Sequence, residues 1–213
     1  LIEFVLLRPL RGANIDTTML VMIGAWIALQ NLEQFTWSGI AKSVNHPFPV
    51  EPLVLGSVSV SWLRIFVFLF ALRLIGGTYF LINRTKLGKA MRATFQDRDT
   101  AALMGVNING IYTATFALGS SLAAAAGALL GPVFVVAPYM GDMAALKAFA
   151  IVILGGLGNI IGATIGGFVL ALVEELGAGY ISSGYRDAMG FLLIIIVLVY
   201  KPTGLFAVKE GIG

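Results

Sequence analysis

Glu174 and Glu175 are the only adjacent carboxylates in the chain. Such pairs perform acid–base catalysis when a site shelters them from water. Here they close an apolar run beside Gly177 and Gly179, which places them at a hydrated helix end. His46 is the single histidine, and there is no cysteine. With Glu51 the only acid close by, His46 makes a poor metal ligand, so no metal or cofactor is expected. No His-Glu-x-x-His pair and no Gly-x-x-x-x-Gly-Lys-Ser/Thr phosphate loop occurs, so the chain has neither a zinc hydrolase motif nor an ATP cradle. A membrane enzyme lacks its constellation here, and the chain is expected to be non-catalytic.

The elements around these residues are set by composition. Hydrophobic residues make up 58% of the 213 and charged residues only 12%, about half the charged share of a soluble domain. Such a chain cannot cover itself with polar groups, so lipid is its solvent. A spanning helix needs about 20 apolar residues. Thr17 to Trp37 is the first candidate, with Asp16 and Thr17 at its start and Gln30, Asn31, Glu33 and Gln34 in its second half. That polar stripe fits either an interface, with Trp37 in the aromatic belt, or a wall facing a pore. Ser38 to Gly56 holds Pro47, Pro49 and Pro52, which forbid a helix and make an extramembrane loop. Val60 to Ile82 is the second span. It carries Arg64, which can reach an interface, and Arg73, 13 residues before Lys86 and so about 20 Å deeper along a helix. A charge at that depth faces either a partner or an aqueous path, or reaches up inside a packed bundle.

Ile111 to Val136 is the third span. Gly119, Ala123, Gly127 and Gly131 recur every four residues and form a column that lets another helix approach closely. Pro132 kinks or ends it, and Pro138, Gly141 and Asp142 make a short loop. Lys147 to Leu176 is 30 residues, about 45 Å as one helix, against a hydrocarbon core of about 30 Å. Its middle reads Gly155-Gly156-Leu157-Gly158-Asn159, which predicts a break between two half-helices, and Gly158, Gly162 and Gly166 form a second small-residue column. Irregular backbone within a membrane lines a cavity or is buried by protein. The break is therefore either a piece of a translocation path, through Gly155, Gly156, Gly158, Asn159 and Gly162, or a packing contact. Ala188 to Tyr200 is the last span, closed by Lys201 and Pro202.

Arg84, Lys86, Lys89, Arg92 and Arg98 are five of the 14 basic residues. Two spans separate them from Arg8 and Arg11, so both basic loops can be cytoplasmic. A nucleic-acid patch is not expected between spans. If Lys147 to Leu176 enters and returns to the outer side, Lys201 and Lys209 also end inside. The basic loop, residues 83–110, has its own design. Leu87, Met91 and Phe95 recur every four residues and give one apolar helical face among basic residues. Asp97 or Asp99 can cap a short helix over Thr100 to Met104, Gly105 can end it, and Asn107 or Asn109 can cap the next span. A short, capped helix with an Ala101-Ala102-Leu103-Met104 surface suits docking in a partner's groove, or a position on lipid headgroups.

The run Gly88 through Asn107 (GKAMRATFQDRDTAALMGVN) resembles the cytoplasmic loop of permeases from branched-chain amino-acid ABC importers. Arg8-Pro9-Leu10-Arg11-Gly12, Phe149 through Gly167 and Lys201-Pro202-Thr203-Gly204-Leu205-Phe206 resemble further stretches of that family, in the same order. The resemblance implies an all-α, polytopic transmembrane bundle: one permease domain over residues 1–213, in the bacterial inner (plasma) membrane, as the C-terminal part of a longer subunit. Leu1 to Leu7 reads as the end of a helix whose beginning is missing. The resemblance further implies separate ABC ATPase subunits, a second permease subunit (a copy or a paralogue) and a substrate-binding protein. Arg92, Asp97, Arg98, Asp99, Ala101, Ala102, Leu103, Met104 and Gly105 would form the ATPase-coupling element. Thr100 stands where many importer permeases have a glutamate, and two residues rather than three separate Ala102 from Gly105. The implied substrate is a branched-chain or related amino acid, or a small amide such as urea. An ATP-independent secondary transporter or channel is the alternative, and it would need a charged relay within the spans, for which only Arg73 is on offer.

Overall fold

In a computed structural model of the chain, residues 2–10, 14–45, 48–49, 51–55, 58–156, 158–201 and 204–206 are described. Leu1, Arg11, Gly12, His46, Pro47, Gly56, Leu157, Pro202, Thr203 and Lys209, named above, lie outside them. The chain divides into two compact units, Leu1–Tyr139 and Met140–Gly213.

The first unit begins with a π-helical turn, Glu3–Leu7, followed by α1 (Ile15–Trp37). A small hairpin, β1 (Leu53–Leu55) and β2 (Val58–Val60), lies within the Pro-rich loop, antiparallel with Val54 opposite Ser59. Then come α2 (Trp62–Arg84), α3 (Lys86–Gln96), α4 (Arg98–Leu103) and α5 (Ile108–Leu130). Leu63 and Ala101 are the buried apolar side chains here, among the described residues. The long helices leave their apolar faces open, as lipid-facing helices do, since lipid is as apolar as the side chains themselves. The segments after α1 and α5 are joined by a two-way backbone bridge. Lys42 N–H donates to Val136 O and Val136 N–H to Lys42 O, both at 2.9 Å.

The second unit is α6 (Met140–Gly155), α7 (Ile160–Tyr180), a 3-10 turn (Ser183–Tyr185) and α8 (Arg186–Tyr200). The helix break falls in the glycine cluster, as its composition predicts. Its arms are longer than two halves of one span. α7 has 21 residues, about 31 Å, enough to cross alone. Gly141 and Asp142 lie in the first turn of α6 rather than in a loop, because Asp142 complements the helix N-terminus.

Four stretches among the described residues are long and apolar enough to cross a membrane: α2, α5, α7 and Ser183–Tyr200. α1 has 23 residues and carries its polar residues in its C-terminal half. The all-α polytopic bundle expected from sequence is what these elements make.

Candidate functional sites

In the first unit, the basic loop is two helices held at defined angles by side-chain caps. Thr85 ends α2 by donating to Leu81 O (2.6 Å) and starts α3 by accepting from Gly88 N–H (3.1 Å). The bend brings Gly88 onto the Ile82 carbonyl, so closely that a Cβ would overlap it. Arg92 donates to the same carbonyl. A cation at the C-terminal end of α2 satisfies an orphan acceptor and the helix dipole together.

Asp97 then separates α3 from α4. Its Oδ1 accepts from the N–H groups of Asp99 (3.0 Å) and Thr100 (3.1 Å), and its Oδ2 accepts from Thr100 Oγ1 (2.5 Å). The Thr100 hydroxyl bond, with those from the backbone, holds the Asp97 carboxyl below the ordinary aspartate range. α4 therefore runs from Arg98 to Leu103, two residues earlier than the Thr100 start expected, and Asp99 sits in its first turn rather than at its cap. Thr100, which stands where a glutamate is common, makes the two-sided contact with the cap.

At the other end, Gly105 N–H donates to Ala102 O (3.0 Å) and Val106 N–H to Ala101 O (3.1 Å). Gly105 has φ +83°, the left-handed conformation this crossed pair of bonds requires and that a Cβ disfavours. Asn107 Oδ1 next caps α5 through Gly110 N–H (3.1 Å). Ala101 is the buried anchor of α4, and Arg98 lies over the Tyr112 ring at 5.7 Å. Leu103 and Met104 are 88% and 81% exposed, and Phe95, at the end of α3, is 84% exposed.

The apolar row of α3 is largely open, with Met91 half-buried. Gly88 and Thr94 are the buried positions, whereas Leu87 and Phe95 face outward. Gly88 meets the end of α2 at the Ile82 carbonyl. Spacing alone could not show which of two apolar rows packs.

The second unit is organised around the Gly-rich turn. Gly155 lies against the backbone of Gly162 and Ala163, so closely that any side chain would overlap it. A Cβ on Gly166 would stand 3.1 Å from both Gly155 N and Leu154 Cδ2, and one on Gly167 3.6 Å from Ile151. Lys147 reaches Glu174 at 2.7 Å. The paired positions recede from the turn together, so α6 and α7 form an antiparallel hairpin zipped by small residues. Gly156 and Gly158 turn the chain at φ +90° and +82°. Asn159 Oδ1 starts α7 by accepting from Gly162 N–H (2.9 Å).

The segment after α8 closes over this turn. Leu205 N–H donates to Leu154 O (2.9 Å), and Asn159 Nδ2 donates to Phe206 O (2.8 Å). Gly204, buried and at φ +90°, packs where a Cβ would stand 2.5 Å from Ile153 O and 2.8 Å from Gly156. Thus two of the stretches that resemble family signatures are one packed site. Leu154, at its centre, is fully buried.

Lys147 is a residue to which sequence reading gave no role. It bridges Glu174 (2.7 Å) and Asp187 (3.0 Å), so three helices share one ammonium. Glu174 is buried rather than hydrated, and Gly190 makes room for it. A Cβ there would lie 2.6 Å from Glu174 Oε1. Glu175 is the exposed member of the pair and bonds Arg186 at 2.6 Å. The helical register separates the two acids by about 100° around α7, which decides their different fates. Arg73 is exposed at the middle of α2, with no hydrogen bond or ion pair among the described residues, so no charged relay is seen there. The described residues hold no cluster able to bind a metal ion. Gly119 and Gly127 face open space in the first unit, and a Cβ at either meets nothing within 4 Å.

Residues 1–198 match the family model described as "Branched-chain amino acid transport system / permease component". The chain is 36% identical over 214 residues to the high-affinity branched-chain amino acid transport system permease protein BraD of Pseudomonas aeruginosa, covering 98% of this chain and 70% of that one. It is 34% identical to the corresponding permease protein LivH of Escherichia coli K12, with the same coverage. It is 30% identical to the probable branched-chain amino acid transport permease protein LivH of Methanocaldococcus jannaschii, again over 98% and 70%. No solved structure matches the chain significantly.

Proposed function

Because this chain belongs to the branched-chain amino acid transport system permease family, we propose that it is a membrane-spanning subunit of an ATP-driven importer for branched-chain or closely related amino acids. The observation that carries the proposal is α4. It is a six-residue helix fixed at both ends by caps, anchored by Ala101, and presenting Leu103 and Met104 outward beside Phe95. A free helix this short does not persist in water, so the caps and the anchor exist to hold its direction. An apolar tip held in one direction is what a groove on a separate ATPase subunit would receive.

In this reading, ATP is bound and hydrolysed on two ATPase subunits. Their closure pushes α4. The push passes through the Schellman turn at Gly105 and the Asn107 cap into α5, and through Arg92 and Thr85 into α2. The spans tilt, and access switches from the outer face to the cytoplasm. A binding protein delivers the amino acid outside. A second permease subunit, a copy or a paralogue, completes the path, and the Gly119–Gly127 column of α5, open within the first unit, is a surface on which one of its helices would pack. The turn of Gly155, Gly156, Gly158, Asn159 and Gly162 belongs to the moving part of the path, where the tail at Gly204 would report its position.

Co-purification tests the proposal. The permease should bring down two ATPase subunits, and Leu103→Asp should abolish that association while the variant remains folded in the membrane. ATP-independent uptake by the permease alone would refute it.

A further inference from the structure

The polar half of α1 builds an open cleft at the end of the first unit opposite to α4. Its walls are Glu33, Trp37 and Ser38 from the end of α1, Ile40 and Lys42 from the following segment, and Val136 to Pro138 from the segment after α5. Its volume is about 350 Å³, within the ~300–1,000 Å³ typical of small-molecule sites. The 23 residues of α5, about 35 Å, separate it from α4.

The walls are fixed rather than chance neighbours. The Lys42–Val136 bridge joins two of them, Gln30 Nε2 donates to Pro138 O (3.2 Å), and Gln34 Nε2 donates to Tyr139 Oη (3.3 Å). Two glutamines of the α1 stripe thus serve as struts. Glu33, from the same stripe, is not used that way. Its carboxylate has no hydrogen bond or ion pair among the described residues. Lys42 donates one of its three ammonium protons to Trp37 O (3.1 Å), which leaves two. Opposite charges therefore line one cleft without joining each other. The same cleft is lined by Trp37, Ile40, Val136 and Pro138, an apolar wall.

We propose that this cleft is a binding site for an α-amino acid with an aliphatic side chain, which it receives on the outer face before translocation. Glu33 takes the α-ammonium, Lys42 takes the α-carboxylate, and the apolar lining covers the side chain. A zwitterion satisfies both charges at once, whereas an amine or an acid alone leaves one of them unanswered. The proposal rests on the importer reading for the direction of transport.

The assembled transporter in proteoliposomes, without binding protein, is titrated with leucine while tryptophan fluorescence is followed, with Trp37→Phe as the control that removes the reporter. Leucine should give a saturable change; 4-methylpentanoate, which lacks the ammonium, and isoamylamine, which lacks the carboxylate, should give none. With binding protein present, Glu33→Gln and Lys42→Met should each lower maximal leucine uptake about tenfold, the loss expected for one charged hydrogen bond. Glu33→Asp and Lys42→Arg should restore most of it, and ATPase activity should remain. Variants with normal uptake, or the absence of a saturable change in the wild type, overturn the site while ATP-dependent uptake leaves the importer intact. Variants that instead weaken docking of the binding protein also overturn it. A transporter with no ATP-dependent amino-acid uptake overturns both.

Discussion

Asn159 joins two parts of the chain that lie 47 positions apart. Its Oδ1 accepts from Gly162 N–H at 2.9 Å, starting α7, while its Nδ2 donates to Phe206 O at 2.8 Å. One side chain therefore sets the helix break and fastens the tail over it.

Asn159→Ala should remove both bonds and lower the stability of the purified permease by about 1–2 kcal/mol, the usual cost of a lost cap. Asn159→Asp keeps the acceptor for Gly162 but has no donor for Phe206. It should recover most of the stability while leaving the tail more open to protease. Thermal melts in detergent and limited proteolysis measure the two effects separately. Equal losses in both variants would mean that the cap is not the dominant bond.

The two glycine columns should respond differently to alanine. A Cβ on Gly155 overlaps the Ala163 backbone, which cannot move without opening the hairpin. Gly155→Ala should cost about 1–3 kcal/mol or more from overpacking. Gly127→Ala meets nothing within 4 Å, so the isolated subunit should tolerate it. If Gly127→Ala spoils the assembled transporter alone, a helix from outside this chain packs there.

Lys147→Met leaves the buried Glu174 without its cation. Lys147 keeps 34% of its side-chain surface, so the cost should be about 2–3 kcal/mol, below that of breaking a fully buried pair. Adding Glu174→Gln to Lys147→Met should return part of the loss, since a neutral amide needs no counter-charge. Melting temperatures of the single and double variants decide this, and simple additivity would contradict the coupling.

Asp97 makes the order of α4 depend on pH. Its carboxyl is held below the ordinary aspartate range by the Thr100 bonds. A depressed folded pKa contributes stability above the unfolded value, and that contribution is lost as pH falls through the folded one. Hydrogen exchange at the Asp99 and Thr100 amides should therefore stay slow near neutrality and quicken, after correction for intrinsic rates, only in strong acid. Asp97→Asn keeps an acceptor and should remove the pH dependence. Persistence of the same acid transition in that variant would assign it to another group.

Leu103→Asp should fold normally, because Leu103 is 88% exposed in the isolated chain. In the assembled importer it would bury an unpaired carboxylate, costing about 2 kcal/mol or more of docking energy. Uptake should fall steeply while membrane insertion stays normal. Ala101→Asp is the contrasting change, since it disrupts the anchor inside the permease and should damage folding itself.

The sequence by itself determined the elements that local chemistry controls. Lipid as solvent follows from the scarcity of charge, and the helix break follows from the density of glycine at 155–158. The end of α4 at Gly105 follows from the chain's own glycine, whereas its start lay open between Asp97 and Asp99 until the Asp97 bonds to Asp99 and Thr100 fixed it. Tertiary structure decided what depends on which faces meet. Leu87, Met91 and Phe95 formed a legible apolar row, yet only the folded chain shows that Gly88 meets the Ile82 carbonyl while Leu87 and Phe95 stay exposed. Glu174 and Glu175 are neighbours in sequence, but one helical step puts the first against Lys147 and Gly190 and the second in the open beside Arg186. The packing of Gly204 onto Gly156, and the bridge of Lys42 to Val136, join segments whose separation along the chain leaves no periodic trace. Bonds within a few residues are written in order along the chain, whereas contacts between distant faces exist only after the helices have chosen their rotation.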